Sequence, residues 1–300
     1  MRFPDILLAI VVALVWGFNF IALQVGLGSF PPVLFSALRF SIAAFPAILF
    51  IRRNGIGWQW ILSVGFVLGI GMFSLLIIGM HVGMPAGLTS LVLQVQAVFT
   101  ALLAAFILRD PPTSWQKIGM VVAFSGIGLI ASEMLHSASL LGLVLIICAG
   151  LAWGVSNILI KSAGNIDMFR LTIWMSIVPP IPFLVLSLLF EEGQAEALSG
   201  MTWTGAGALL YTALISMILA FSIWGRLLRR YSPNVVAPFS LLVPIFGMFF
   251  AALLLGEQYT ATKFAASVLV FSGLFLTVFG GKLPQLVKRI AGEVSDMQQP

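Results

Sequence analysis

Ten apolar stretches, each long enough to cross a bilayer, fill almost the whole chain, at about 6–27, 31–51, 58–80, 84–108, 116–133, 140–161, 168–190, 203–225, 233–255 and 262–281. A bilayer core of roughly 30 Å needs about 20 helical residues, so these lengths suit membrane helices rather than soluble core helices. The expectation is an all-α membrane protein with ten transmembrane helices. Composition excludes the alternative: 60% of the residues are apolar and 8% charged, and the mean hydropathy is +1.11. No stretch is left for a water-soluble domain, so any function sits inside the helix bundle or on its short loops.

The cations predict the orientation. Arg2; Arg52 and Arg53; Arg109 and Lys117; Lys161 and Arg170; Arg226, Arg229 and Arg230; and Lys282, Lys288 and Arg289 all fall in alternate gaps or at the span ends that border them. The opposite side keeps only Lys263, at a span end, and Arg39 lies deep within a span. By the positive-inside rule both termini face the cytoplasm. The pI near 9.8 then reflects a cytoplasmic rim that meets anionic lipid headgroups, and no nucleic-acid partner is expected. Cys148 is the single cysteine and lies in the sixth span, which leaves neither a disulfide framework nor a cysteine metal site. His81 and His136 sit at unrelated positions near the opposite rim, so no metal or cofactor is expected. The apolar run after Met1 continues to Leu27 without a clear cleavage site and reads as a retained first helix.

The two halves repeat one another. Ala13-Leu14-Val15-Trp16-Gly17 in span one recurs as Ala149-Gly150-Leu151-Ala152-Trp153-Gly154 in span six, with Asn19 and Asn157 shortly after each Trp. Val122-Ala123-Phe124-Ser125-Gly126 in span five recurs as Leu269-Val270-Phe271-Ser272-Gly273 in span ten, and spans four and nine open at Met84-Pro85 and Ser232-Pro233. Five helices is an odd number, so the second repeat enters the membrane from the other side. Inverted repeats of this kind give alternating-access transporters their two mirror-related conformations around a central site.

Few polar residues lie deep in the spans. Arg39 is the only ionisable one, about 12 Å into a core of roughly 30 Å. A central Arg costs at least ~2.5–3.5 kcal/mol on insertion scales, and no acid occupies the middle of another span. It either bonds carbonyls while tilting toward the outer headgroups, or attracts an acidic group of a passing solute. Gln94 and Gln96 are two residues apart and cannot share a helix face. They, Asn19 and Asn157 suit either helix-to-helix hydrogen bonds or a solute's amine and carboxylate. Pro238 and Pro244 kink span nine, for a solute path or for packing. Gly65, Gly69, Gly71, Gly150 and Gly154 have spacings that favour close helix contact. A proton-coupled pump would need a titratable relay inside the spans, and none is visible.

Trp16-Gly17-Phe18-Asn19-Phe20, Leu38-Arg39-Phe40, Gly83-Met84-Pro85-Ala86-Gly87-Leu88, Ser90-Leu91-Val92-Leu93-Gln94-Val95-Gln96 and Ala237-Pro238-Phe239-Ser240-Leu241-Leu242-Val243-Pro244 resemble the EamA-type branch of the drug/metabolite transporter superfamily. The match is closest to bacterial exporters of O-acetylserine and cysteine. The resemblance implies two inverted five-helix repeats (1–135 and 136–282) with a short cytoplasmic tail (283–300), in a multi-pass protein of the bacterial inner membrane. It also implies a central cavity lined by spans one, three, four, six, eight and nine, which puts Trp16, Asn19, Gln94, Gln96, Trp153 and Asn157 near substrate, with Arg39 as a further candidate. Leu108-Arg109-Asp110-Pro111-Pro112 and Glu257-Gln258 depart from the acid–base pairs that relatives use, which leaves rim ion pairs in question here.

The expected function is export of amino-acid-type metabolites, small zwitterionic or weakly acidic solutes, by alternating access. A broader drug or aromatic-amino-acid exporter is the alternative. An integral-membrane enzyme acting on lipid-linked substrates is remote, because no paired acids, metal cluster or activated nucleophile is visible. Monomer and homodimer both stay open.

Overall fold

A computed structural model describes residues 1–109, 111–134, 139–164, 166–231 and 236–280, and every regular element among them is helical. The helices are α1 (Phe3–Leu27), α2 (Pro32–Phe50), α3 (Trp58–His81), α4 (Ala86–Ile107), α5 (Ser114–Met134), α6 (Ser139–Ser162), α7 (Met168–Phe190), α8 (Trp203–Leu227), α9 (Phe239–Leu255) and α10 (Ala261–Phe279). Among the described residues nine are long and apolar enough to cross a membrane, and α9 is the shorter tenth. Its expected start at Ser232-Pro233 lies outside the described residues, as do His136, Asp110 and the tail.

Local chemistry sets the helix starts. Asp167, Thr202 and Thr260 accept from backbone N–H groups of α7, α8 and α10 with their side chains. Proline opens α1 and α2 within the first two helical positions, where a missing N–H costs nothing. Outward-facing positions such as Leu7, Val11, Phe106, Leu189 and Phe264 are exposed. In water such a belt would be unstable; in lipid it is the required surface.

The packing follows the repeat. α5 packs along α10, α2 along α7 and α4 along α9. The contact of α1 with α9 is matched by that of α6 with α4, and the contact of α1 with α8 by that of α6 with α3. These are the pairings of two five-helix units inserted in opposite senses. Glycines allow the closest approaches. A Cβ at Gly17 would lie 2.6 Å from Phe246 Cβ on α9, and one at Gly154 would lie 2.9 Å from Phe99 Cβ on α4. Gly126 and Gly273, from the repeated Phe-Ser-Gly motif, meet the facing backbone where α5 crosses α10.

The helix irregularities are mirrored too. α3 widens into a π-helix over Gly65–Met72 and α8 over Tyr211–Leu219. Short 3-10 segments interrupt α4 at Leu93–Val95 and lead into α9 at Ala237–Leu241. α2 breaks at Phe45 and Pro46, and α7 between Met175 and Pro180. Gly65 and Gly69 seat α3 against Val178 and Pro179 in the α7 break. Gly71 meets no neighbouring helix, so the close-contact expectation holds for Gly65, Gly69, Gly150 and Gly154 but not for Gly71.

The bundle has two unlike ends. At the cation-poor end Glu191 accepts from Val33 N (2.7 Å) and Leu34 N (3.0 Å), so it caps α2. Glu257 accepts from Gly87 N near the start of α4 and from the Tyr259 hydroxyl. At the cation-rich end Arg230 pairs with Asp5 at 3.3 Å, and the Tyr231 hydroxyl donates to Asp5 at 2.6 Å. Arg170 Nη1 and Trp174 Nε1 donate to the Arg52 and Ile51 carbonyls.

Candidate functional site

Counting along each helix at 1.5 Å per residue, Asn19, Arg39, Phe73, Gln94 and Tyr211 all lie roughly 10–12 Å below the cation-poor end. They come from α1, α2, α3, α4 and α8. The π-helical part of α8 touches both α1 and α2, so Asn19 and Arg39 belong to helices that flank one irregular segment. Such segments recur at functional sites because they offset the helix axis and change the backbone hydrogen-bond pattern.

Arg39 is 3% exposed. Its guanidinium carbon lies 4.1 Å from the Phe73 ring centroid and 5.3 Å from that of Phe40. Among the described residues no hydrogen bond or ion pair reaches it, and Nε is fully buried without a partner. The expected tilt toward headgroups with bonds to carbonyls is therefore absent; the side chain stays in an aromatic pocket. Asn19 is buried at 9% exposure, and its Oδ1 also lacks a donor.

The two glutamines point to different helices, as their spacing requires. Gln94 Nε2 donates to the Ser240 carbonyl at 3.1 Å, joining α4 to α9. Gln96 Oε1 accepts from Asn157 Nδ2 at 2.8 Å, and the same amide donates to Thr100 Oγ1 at 3.0 Å, joining α4 to α6. Trp16 Nε1 donates to the Ser216 carbonyl in the π-segment of α8 at 3.1 Å, and the indole packs on Phe221 and Trp224. Trp153 packs against the main core. Gln94, Gln96, Asn157 and Trp16 thus hold helices together in this conformation, whereas Asn19 and Arg39 carry unused polar atoms.

Ser156 was not singled out from the sequence, yet it is fully buried and its Oγ has no partner. Trp16-Gly17-Phe18-Asn19 set directly over Trp153-Gly154-Val155-Ser156 pairs Asn19 with Ser156, not with Asn157. That strict register was the signal available. Phe73, Tyr211 and Thr100 carried no such signal, because their roles depend on the π-segments and on helix facing.

Each end holds a cavity. One of about 320 Å³ at the cation-poor end is lined by Gln24, Met80, Gly83, Met84, Pro85, Ala86, Leu255 and Glu257, and Gln24 Oε1 is buried without a donor. Beside it, burial and then the Glu257 carboxylate push the Tyr259 phenol above its ordinary pKa. The other cavity, of about 350 Å³, lies between Asn54–Gly57, Trp60, Ala163, Ile166, Asp167 and Arg170 at the cation-rich end. Among the described residues no group of three His, Cys, Asp or Glu is placed to hold a metal.

Residues 4–132 and 140–279 each match the EamA-like transporter family. The chain is 37% identical over 296 residues to a "Probable amino-acid metabolite efflux pump" of Salmonella typhimurium, covering 96% of this chain and 99% of that protein. It is likewise 37% identical to a protein of the same description from Escherichia coli, covering 95% and 98%. An uncharacterised transporter of Bacillus subtilis, YoaV, is 28% identical across 89% of this chain and 94% of its own length. A solved crystal structure covers 92% of this chain and 98% of its own with a TM-score of 0.62 at 15% identity, a likeness of fold alone.

Proposed function

The chain belongs to the EamA-like transporter family, and from that premise we propose that it exports amino-acid-type metabolites, such as O-acetylserine and cysteine, by alternating access between its two repeats. It is a multi-pass inner-membrane transporter and not an enzyme. In this reading the cation-rich end, with both termini, faces the cytoplasm.

The observation that carries the proposal is the mirrored set of helix irregularities. π-helical turns in α3 and α8 and 3-10 turns in α4 and α9 lie in helices that cross between the repeats. A bundle that exchanges two mirror conformations needs such places where helices can bend without losing all their backbone bonds. Trp16, Asn19, Arg39, Gln94, Gln96, Trp153 and Asn157 are the residues we assign to the path. Of these, the helix-bridging Gln96–Asn157 and Gln94–Ser240 bonds are the ones that rocking would break and remake. The end-to-end likeness to two amino-acid metabolite efflux pumps supports the substrate class.

Aromatic contacts favour one broader reading. Ring contacts join Trp16 on α1 to Phe221 and Trp224 on α8, and Phe18 on α1 to Tyr211 on α8 and Phe250 on α9, aromatic surfaces that an aromatic amino acid would suit. Purified protein in liposomes, offered labelled cysteine, O-acetylserine and phenylalanine, separates the two. Saturable movement of the first two above protein-free vesicles is expected. Movement of phenylalanine alone would replace the narrower substrate assignment with the broader one.

A further inference from the structure

Arg39 is the one membrane-buried charge among the described residues whose every polar atom lacks a protein acceptor. Its surroundings explain what the guanidinium can still do. Phe73 lies at stacking distance, 4.1 Å, with Phe40 at 5.3 Å, so the rings attract the cation without accepting its N–H bonds. A planar guanidinium presents its donors around its edge, in a fork that matches two carboxylate oxygens. The acid at the entrance of the same helix, Glu191, is committed to the Val33 and Leu34 N–H groups. Among the described residues no anion completes Arg39.

Building on the export reading, we propose that Arg39 holds the carboxylate of the transported solute edge-on, so that the protein selects carboxylate-bearing metabolites over the matching amines. The site is single. Counted from the first helical residue, Met175 stands in α7 where Arg39 stands in α2, seven residues on, and a thioether offers no charge. The carboxylate is therefore gripped only in the half nearer the cation-poor end.

Cysteine and cysteamine differ only by the carboxylate, which makes them the probes. Thermal stabilisation of the purified protein and uptake into liposomes are measured with each, for wild type, Arg39→Gln and Arg39→Lys. Wild type should bind and move cysteine and discriminate against cysteamine by at least tenfold. Arg39→Gln, monodisperse by size exclusion, should lose roughly ten- to a hundredfold in cysteine affinity and with it the discrimination. Arg39→Lys keeps charge but loses the fork, and should fall between. If Arg39→Gln does not fold, Arg39→Lys with unchanged cysteine affinity overturns the proposal, as does a wild type that treats the two probes alike. A wild type that moves neither probe yet is stabilised by cysteine through Arg39 would remove the export reading and leave the carboxylate site standing.

Discussion

Arg39 and Met175 each lie seven residues after the first residue of α2 and α7, and Asn19 and Ser156 three residues after Trp16 and Trp153. All four are buried. Yet the half nearer the cation-poor end holds a charged guanidinium and an amide, while the other half holds a thioether and a hydroxyl. The backbone irregularities are repeated faithfully across the two halves; the side-chain chemistry is not. Inverted repetition conserves the mechanical parts needed to bend and leaves the two levels free to differ in what they bind.

The largest test of that difference is to move the charge. Met175→Arg, with Arg39 kept, places a second guanidinium at the level that has no evident need of one. We expect a loss of at least ~2.5–3.5 kcal/mol in insertion or stability, seen as reduced yield and a lower thermal midpoint. If Met175→Arg accumulates and melts as wild type does, the two levels are equally polar and the asymmetry has no meaning.

A smaller effect tests the mirrored mechanics. A Cβ at Gly17 meets Phe246 Cβ at 2.6 Å and the Gly247 N and Val243 O backbone atoms at 2.9 Å. One at Gly154 meets Phe99 Cβ at 2.9 Å and Thr100 N at 3.1 Å. Overpacking of this sort costs about 1–3 kcal/mol. Gly17→Ala should therefore lower the thermal midpoint more than Gly154→Ala, because it brings backbone atoms to 2.9 Å, whereas the backbone facing Gly154 stays at 3.1 Å or beyond. Equal shifts would mean that the two crossings relax alike.

The fold was legible in the sequence because lipid allows few solutions. Helix lengths, loop cations and the repeated Trp-Gly and Phe-Ser-Gly segments follow from bilayer thickness, sidedness and close packing. The π-segments were not legible. Gly65-Phe66-Val67-Leu68 and Tyr211-Thr212-Ala213-Leu214 share no residue pattern, and a π-turn depends on what the neighbouring helix presents. The candidate site was read in part. Arg39 stood out because a buried charge is rare, whereas helix facing, which spacing alone does not give, decided that Gln96 and Asn157 bond to each other. Glu257 was expected to lack a basic partner; the structure gives it Gly87 N–H and the Tyr259 hydroxyl instead. The Asp5–Arg230 pair joins residues 225 positions apart and had no local signal.

Asn157 and Asn19 sharpen the comparison further, because one amide is satisfied and the other is not. Asn157→Leu breaks bonds to Gln96 and Thr100 and should cost about 0.6 kcal/mol, at most ~1.7, the range for membrane helix hydrogen bonds. Asn19→Leu removes an acceptor that has no donor, and should leave stability within about 0.5 kcal/mol of wild type. Its effect is expected in solute binding, read as cysteine-dependent thermal stabilisation. A larger stability loss at Asn19 than at Asn157 would show that Asn19 has a structural partner in another conformation.

The smallest effect lies at the cation-poor rim and is visible only in alkali. Burial and the neighbouring Glu257 carboxylate raise the Tyr259 phenol above its ordinary value, near 10 in an unfolded chain. The folded protein thus holds that proton more tightly than the unfolded one. The resulting stability is fully present below about pH 10 and declines as pH rises toward the folded-state value. Tyr259→Phe deletes both the titration and the hydroxyl's bond to Glu257, leaving the carboxylate on the Gly87 N–H alone. At neutral pH the variant should melt slightly lower than wild type, and the gap should narrow between about pH 10 and 12 as the wild type loses its contribution. A gap for Tyr259→Phe that stays constant across this range would mean that the phenol is open to solvent and that the rim at Glu257 is looser than its hydrogen bonds imply.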